Sequence, residues 1–431
     1  MNTTIAIINL GCSKNQVDGE RILHLFTGSG YGHTENLYEA DIIIINTCAF
    51  IREAKEEAID TILEAANYKK TGKCSKLIVS GCFSERYRNE VRDKFPEIDL
   101  WVGVNDWNDI FENQFGSLKH SSFERELSEP VSTQYLKIAE GCSHRCAYCV
   151  IPSIRGPFKS RSSSSIIEEA NWLYEKGTRE LILVAQDTSY YGKDISTSLY
   201  ELLVRLLDNT RFPWIRMMYL HPKYISYDLL RLIASEERIC PYFDIPLQHI
   251  SDPILLAMKR SPLSLDIYRL IEKIRTLVPD SSIRSSFIIG FPGETERHFK
   301  ELQQFIEFAR FDKLGVFPFS PEEGTKAFDM RPRPRDVTVT RRCNDLLMQQ
   351  REISREILAS KIGQTLSVII DRVSDNFDFN YDGRSRYDAP EVDGKVLIGN
   401  GNVEPGTICN VSIVGADDYD LYGEIADKIS N

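Results

Sequence analysis

The strongest candidates for a chemical role in this sequence are three cysteines with the spacing C-x3-C-x2-C, namely Cys142, Cys146 and Cys149. Three thiolates on one short loop can each bind one iron of a cubane iron–sulfur cluster. The next cysteine is Cys240, so the fourth iron would lack a protein ligand and could chelate a small molecule. The alternatives are simple burial or a zinc site completed by a residue such as His144, although structural zinc sites usually contain two cysteine pairs.

Three more cysteines, Cys12, Cys48 and Cys82, are far apart in sequence, but each lies two residues beyond a short apolar segment. If these segments are neighbouring parallel strands, their carboxyl ends meet at one crevice of the sheet. Three thiols at that crevice could hold a second cluster, again with one iron free of protein ligands. The alternative is that the cysteines are buried for packing alone, which is common for this residue.

The elements that must position these cysteines divide the chain into three domains. Residues 1–116 alternate apolar segments with helical patterns, which predicts a parallel sheet covered on both faces and hence a doubly wound α/β domain. Residues 117–133 are polar and are predicted to be a linker. Residues 134–360 contain six strand–helix units and a trailing amphipathic helix, which predicts a partial (βα)6 barrel. Residues 361–431 combine short strands with glycine turns, which predicts a small OB-like β-barrel.

Two segments at the predicted carboxyl ends of barrel strands are candidates for a ligand pocket, because barrel sites form at those ends. Gln186 and Asp187 follow the second predicted strand, and Gly290 and Gly293 follow the fifth. For the two glycines, a turn that starts the next helix is an equally good interpretation.

The C-x3-C-x2-C triplet, the aromatic residue Tyr148 within it and the barrel pattern resemble the radical-SAM superfamily. The resemblance implies that the open iron binds S-adenosylmethionine. It also implies that this cofactor is held by Tyr148, Gln186, Asp187, Gly290 and Gly293.

Two cysteine triplets on two successive α/β domains, followed by a TRAM-like β-barrel, resemble the methylthiotransferases over the whole chain. The resemblance implies two 4Fe-4S clusters, of which the auxiliary cluster in the N-terminal domain carries or supplies sulfur. The implied ligands are six of the ten cysteines, namely Cys12, Cys48 and Cys82 for the auxiliary cluster and Cys142, Cys146 and Cys149 for the radical-SAM cluster.

Several stretches resemble the RimO branch of these enzymes, with Ser13 where the branch has proline and Ala49 where it has glycine. The stretches are residues 10–18, 46–51, 151–156, 244–249 and 320–325. The resemblance implies methylthiolation of an aspartate β-carbon in the small-subunit ribosomal protein uS12. S-adenosylmethionine would be both the radical source and the methyl donor. The alternatives are the branch that modifies adenosine in tRNA and, from another class, a non-catalytic iron–sulfur carrier.

The charge distribution bears on the partner. The net charge is −11, and residues 361–431 hold six Lys and Arg against thirteen Asp and Glu. A module that binds RNA phosphates should be basic, so direct nucleic-acid binding is not expected. An acidic surface suits a basic ribosomal protein, although acidity can also serve solubility alone. The chemistry further implies an electron donor such as flavodoxin or ferredoxin.

The cellular location is predicted from the lack of a membrane span and of a signal peptide in the sequence. No apolar run in the sequence is long enough to cross a bilayer. The first residues have no basic segment ahead of an apolar one, so they do not resemble a signal peptide. We therefore expect a cytoplasmic protein with no membrane partner, in which cysteines do not form a disulfide framework.

Overall fold

The computed structural model describes residues 3–116 and 123–428. The N-terminal domain contains β1 (Thr4–Asn9), α1 (Ser13–Thr27), β2 (Gly32–His33), β3 (Ile42–Thr47), α2 (Arg52–Thr71), β4 (Lys76–Gly81), α3 (Cys82–Val91), β5 (Leu100–Trp101) and α4 (Trp107–Gln114). Its five strands form a parallel sheet in the order β2-β1-β3-β4-β5.

The central strand β3 explains why the apolar segments of this domain are continuous. All six of its residues are buried, because helices cover both faces of the sheet. The strand order is that of a doubly wound sheet whose crevice opens between β1 and β3. The predicted doubly wound fold is therefore confirmed. The two-residue strand β2 was not predicted, since it is too short to show a pattern.

The middle domain begins with β6 (Thr133–Lys137), β7 (Ala139–Glu140), α5 (Ile151–Arg155), β8 (Lys159–Ser160), α6 (Ser163–Glu175), β9 (Glu180–Val184), α7 (Leu199–Asn209), β10 (Trp214–Met217) and α8 (Tyr227–Ser235). It continues with β11 (Tyr242–Asp244), α9 (Asp252–Ala257), α10 (Ser264–Leu277), β12 (Ser282–Ile289), α11 (Glu296–Ala309), β13 (Lys313–Pro318) and α12 (Asp336–Ala359).

Six parallel strands of this domain form the predicted partial barrel. Strands β6, β9 and β10 make one sheet and β11, β12 and β13 another. A parallel bridge between Ile215 and Ile239 joins β10 to the residues just before β11. The apolar interior is continuous from Leu136 on the first strand to Phe311 before the last. The predicted trailing helix is α12, which packs against β13 and α11.

The C-terminal domain is a closed barrel in the order β14-β15-β16-β18-β17. Its strands are β14 (Thr365–Val373), β15 (Tyr381–Ser385), β16 (Val396–Ile398), β17 (Ile408–Ala416) and β18 (Leu421–Lys428). The predicted β-barrel is confirmed, but β15 was missed, because its sequence YDGRS looks like a loop. All five of its residues are buried, and the two charged ones, Asp382 and Arg384, form ion pairs with other segments.

The acidic residues of this domain do not all face a basic partner, as its composition suggested. Several of its carboxylates form ion pairs within the chain, some of them with the middle domain. These are Asp371 with Arg384, Asp382 with Lys395, Asp388 with Lys313, Asp393 with Arg284, and Asp418 with Arg351 and Arg355. Part of the acidity therefore holds the domain on the barrel instead of facing a partner.

The predicted linker lies partly outside the described residues, at 117–122, and its remainder is not a free tether. Arg125 is fully buried, donates a 2.6 Å hydrogen bond to Glu20 on α1, and lies 3.4 Å from Glu169 on α6. This segment thus packs between the first two domains. Within the part of the chain that the structure describes, no helix has the length and apolar character needed to cross a membrane.

Candidate metal and cofactor site

The loop that carries Cys142, Cys146 and Cys149 lies between β7 and α5, where the first strands of the barrel end. Its start is held by a 3.0 Å hydrogen bond from the Cys142 backbone N–H to the Gly156 carbonyl. Gly141 before it has φ +74°, and a Cβ there would lie 2.2 Å from the Pro157 carbonyl oxygen. Only glycine fits this turn, which points the loop at the carboxyl end of the barrel.

The three thiols of this loop interact with one another electrostatically. Burial raises the pKa of Cys142 to about 11 and that of Cys149 to about 12, and in both cases Cys146 raises it further. Arg260 donates to the Cys146 sulfur at 3.8 Å. The thiols therefore converge, and a bound cation would be needed to hold Cys142 and Cys149 as thiolates at neutral pH.

The second triplet converges at the carboxyl ends of three adjacent strands. Cys12 follows β1 and precedes α1, Cys48 follows β3, and Cys82 is the first residue of α3 after β4. Burial raises the pKa of Cys48 to about 11, with further contributions from Cys82 and Cys12. A Cβ built on Gly11 would lie 2.7 Å from the Cys48 Cβ and 3.0 Å from its sulfur. The sheet therefore brings together three cysteines that are distant in sequence.

Two buried cations lie beside this second triplet. Arg155 donates from Nη2 to the Cys82 sulfur at 3.4 Å and to Asn15 Oδ1 at 3.0 Å. The Lys14 ammonium lies 3.5 Å from the centre of the Tyr219 ring. Desolvation in the crevice raises the pKa of Cys12, but Lys14 and Arg155 outweigh it and lower the pKa below its usual value. These two cations therefore favour negative charge on the Cys12 sulfur.

A polar network joins the two triplets. Arg155, which contacts Cys82, also donates from Nη1 to Glu140 Oε2 at 3.3 Å and to Asp18 Oδ2 at 2.7 Å. Glu140 lies two residues before Cys142 and accepts a 2.6 Å hydrogen bond from Lys137. Burial would raise the pKa of Glu140, but Lys137 and Arg155 outweigh it and lower the pKa to about 2. The two cysteine sites therefore belong to one connected region between the first two domains.

The predicted pocket residues after β9 belong to this same region. Gln186 donates from Nε2 to Glu140 Oε1 at 2.9 Å, while its buried Oε1 has no hydrogen-bond partner among the described residues. Asp187 is engaged by the protein, because it lies 2.6 Å from His144 Nε2 and accepts from the hydroxyl of Ser189 at 2.6 Å. Gln186 thus has a free acceptor for a ligand, whereas Asp187 orients His144.

The second predicted pocket segment also lies beside the first cysteine loop. Phe291, between Gly290 and Gly293, belongs to one apolar cluster with Ala147 and Tyr148. Both glycines have positive φ, +84° and +87°. The Gly290 N–H donates to Glu294 Oε2 at 2.8 Å, in the turn that precedes α11. The helix-initiating turn is therefore present, and a role of these glycines in cofactor binding stays a prediction.

His144, the fourth ligand of the zinc interpretation, contacts other side chains of the protein. His144 is hydrogen-bonded to Asp187, and its ring stacks on His221 with 4.6 Å between centroids. Across residues 3–116 and 123–428, no group of three or more His, Cys, Asp or Glu side chains is placed to hold a single metal ion. A zinc ion draws its sulfur ligands to about 2.3 Å, whereas each thiolate of a cubane binds a different iron. A cluster therefore needs only the three thiols of this loop and no fourth protein ligand.

Sequence reasoning missed several residues of this region, chiefly Arg155, Glu140, Arg260 and His221. Arg155 lies within the motif 151–156, and Glu140 directly precedes the cysteine loop, so their neighbourhood was a usable signal. Arg260 and His221 carry no such signal, because the chain brings them to the loop from remote segments.

Close packing at Gly11 leads to a specific prediction. Gly11→Ala should remove about four irons per chain, because its Cβ would collide with Cys48. Gly30→Ala is the matched control, since Gly30 has a similar φ of +97° and nothing within 4 Å of a built Cβ. Both variants carry a strain of about 1–2 kcal/mol, but only the first should lose iron after anaerobic reconstitution. Equal iron contents in the two variants would contradict this assignment of the crevice.

Comparison with known proteins identifies each domain. Residues 4–103 match the model described as uncharacterized protein family UPF0004, residues 136–306 match the radical SAM superfamily, and residues 362–426 match the TRAM domain. The chain is 42% identical to the ribosomal protein uS12 methylthiotransferase RimO of Pelobacter propionicus, over 98% of each chain. It is 41% identical to the RimO of Acetivibrio thermocellus, over 100% of each. The chain belongs to the RimO family.

Membership of the RimO family confirms the predicted enzyme class, a radical-SAM methylthiotransferase. The RimO of Aquifex aeolicus is 43% identical over 97% of this chain and 96% of the relative. Among solved structures, the radical S-adenosylmethionine methyltransferase TsrM from Kitasatospora setae aligns with a TM-score of 0.54 at 13% identity, covering 87% of this chain and 82% of that one. At this identity the alignment supports the fold alone.

Proposed function

We propose that this chain methylthiolates the β-carbon of an aspartate in ribosomal protein uS12, using two 4Fe-4S clusters and S-adenosylmethionine. The observation that carries the proposal is the similarity to RimO proteins along the full chain. The arrangement of the two cysteine triplets supports it, because Arg155 contacts both Cys82 and Glu140, which lies two residues before Cys142. A radical and a sulfur donor could therefore act on one substrate carbon.

The two cysteine sets fit iron–sulfur clusters in number, charge and hydrogen bonding. Cys142, Cys146 and Cys149 would hold the radical-SAM cluster, and Cys12, Cys48 and Cys82 the auxiliary cluster. Each set offers three thiols and receives one guanidinium hydrogen bond on a sulfur, from Arg260 and Arg155 respectively. Hydrogen bonds to cluster sulfurs and nearby positive charge stabilise the anionic cluster and help to set its reduction potential.

S-adenosylmethionine would bind at the carboxyl end of the barrel beside the first cysteine loop. The unpaired Oε1 of Gln186 can accept from an N–H group of the cofactor. Tyr148, Gly290 and Gly293 would line the same pocket, with Asp187 next to Gln186. When bound, the cluster supplies the electron that cleaves the cofactor, and the cofactor supplies the radical and the methyl group.

The chain's own residues position the reactants. The target β-carbon carries no acidic hydrogen, so a side-chain base could not remove it, and no such base is needed. His221 is buried, and its burial together with Arg260 lowers its pKa to about 2, so it remains neutral. Arg155 contacts Cys82 and forms an ion pair with Glu140, which directly precedes the Cys142 loop. This contact keeps the two cysteine sites at a fixed distance from each other.

The substrate assignment is tested in a strain that lacks the gene, with the complemented strain as control. We expect the mass spectrum of uS12 to lose its methylthio-aspartate peptide, while the methylthio-adenosine content of tRNA stays unchanged. The reason is that the chain resembles RimO proteins over its whole length. Loss of methylthio-adenosine with uS12 unaltered would replace this proposal by the tRNA branch.

A further inference from the structure

Three exposed cations surround the loop that carries the first cysteine triplet. The Ala147 N–H donates to the Met258 carbonyl at 2.8 Å, and the Ala327 N–H donates to the Ala147 carbonyl at 2.8 Å. Three remote segments therefore meet at Ala147, which is adjacent to Cys146. Each segment places one exposed cation next to this junction, namely Arg145, Lys259 and Lys326. We call these three residues the cationic surface.

Within the described residues, none of the three cations of this surface forms an ion pair, and the exposed Glu323 and Asp329 lie on the same segment as Lys326. The nearby Asp187 is engaged by His144, and the carboxylate of Glu322 is engaged elsewhere, by Lys55 and Arg86. In a chain of net charge −11, an unneutralised positive surface beside the cysteine loop is a local exception.

The backbone hydrogen bonds at Ala147 bring the segments that carry the three cations next to one another. The proximity of Lys326, and after it the positive charge of Arg145, lowers the pKa of the Lys259 ammonium. Lys259 has φ +55°, a conformation that side chains other than glycine rarely adopt. Its backbone N–H donates to the Leu256 carbonyl at 3.0 Å, and the next residue is Arg260, which contacts Cys146. Strained backbone of this kind concentrates at functional sites.

We propose that Arg145, Lys259 and Lys326 form the docking surface for an acidic electron-donor protein. The inference rests on the proposed function, which requires one electron to enter the cluster on Cys142, Cys146 and Cys149. The reduced donor loses one electron and the cluster gains it, with no other change in bonding. Opposite charge would steer the donor onto the face nearest this cluster, and exposed Leu256 would add an apolar contact.

The chemistry of the surface favours a protein over a nucleic acid or the basic substrate. A nucleic-acid site needs a wide basic footprint that neutralises many phosphates, whereas this surface has three cations within an acidic chain. A basic ribosomal protein would be repelled by it. Electron entry and substrate approach would therefore use different faces of the enzyme.

The test compares Lys259→Glu/Lys326→Glu with Lys273→Glu/Lys300→Glu, a matched double reversal of exposed lysines on α10 and α11. Flavodoxin is the probe, and its affinity is measured by flavin fluorescence anisotropy at low and high salt. Formation of 5′-deoxyadenosine is then driven either by reduced flavodoxin or by dithionite. We expect the first variant to bind flavodoxin at least about tenfold more weakly at low salt, with the flavodoxin-driven rate reduced and the dithionite-driven rate retained.

Several results would overturn the proposal. One is equal flavodoxin affinity in the two double variants, and another is an equal fall of the dithionite-driven rate, which would mean that the lysines act on the cluster itself. A third is a lost affinity for ribosomal RNA with flavodoxin binding intact, which would assign the surface to nucleic acid.

The milder variant Lys259→Ala/Lys326→Ala should show a smaller loss of flavodoxin affinity than the charge reversal. If wild type forms no 5′-deoxyadenosine with dithionite, the proposed function fails, while the binding comparison still decides the docking surface.

Discussion

Replacing Cys12, Cys48 and Cys82 together by alanine is expected to abolish methylthio transfer while S-adenosylmethionine cleavage continues. Iron should fall from about eight to about four per chain, since one of two four-iron clusters would be lost. The proposed cleavage site is separate, since Cys142 and its neighbours lie in the barrel domain. The measurements are iron content, 5′-deoxyadenosine formed with dithionite, and methylthiolated peptide by mass spectrometry, all after anaerobic reconstitution.

The control variant removes three other thiols, those of Cys74, Cys240 and Cys343. Cys74 and Cys240 are buried, Cys343 is half-buried on α12, and none of them belongs to either triplet. This variant should keep about eight irons and both activities. About four irons in wild type and in the Cys12 triple variant alike would mean that the N-terminal cysteines are structural. Intact clusters without any 5′-deoxyadenosine would instead indicate an iron–sulfur carrier.

Glu180→Gln is expected to be the most destabilising single substitution at the junction between the barrel and the C-terminal domain. Glu180 is completely buried on β9 and lies 2.7 Å from both Arg216 on β10 and Arg384 on β15. Neutralising it leaves two buried guanidinium groups without their shared carboxylate. Breaking a buried ion pair in this way costs about 3–5 kcal/mol, which urea unfolding followed by tryptophan fluorescence would measure, because Trp214 lies on β10.

Glu352→Gln provides the matched control for the same chemical change at the surface. Glu352 pairs with Arg355 on α12, and both side chains are largely exposed. Loss of an exposed pair should change the free energy of unfolding by less than about 1 kcal/mol. Similar losses in both variants would contradict the importance assigned to the buried network.

The stabilisation by Glu180 should depend on pH in a defined direction. Burial by itself would raise the pKa of Glu180, but Arg384 and Arg216 outweigh it and lower the pKa. The stabilisation is therefore fully present above the unfolded pKa of about 4.3. It is lost as the pH falls through the lower folded value. The difference between wild type and Glu180→Gln should thus be constant at neutral pH and shrink in acid.

The sequence by itself determined the fold class and the cysteines that could do chemistry. Continuous burial of β3 requires an unbroken apolar run, so Ile42 to Ile45 identified a central parallel strand directly. The thiols of Cys142, Cys146 and Cys149 lie near one another in any loop conformation, because they fall within eight residues. Even the distant triplet was accessible, since strand ends are visible in sequence and parallel strands end at one edge.

Only the tertiary structure decided which polar residues surround those cysteines and what the charges do. Strand β15 was missed because the partners that allow burial of Asp382 and Arg384 lie on other segments. The contact of Asp187 with His144 appears only in three dimensions, and a role of Asp187 in cofactor binding stays a prediction. The same holds for Arg155 on Cys82 and for the cationic surface around Ala147. Apolar burial leaves a periodic pattern in the sequence, whereas a hydrogen bond or an ion pair depends on two specific atoms meeting, and chain folding alone brings them together.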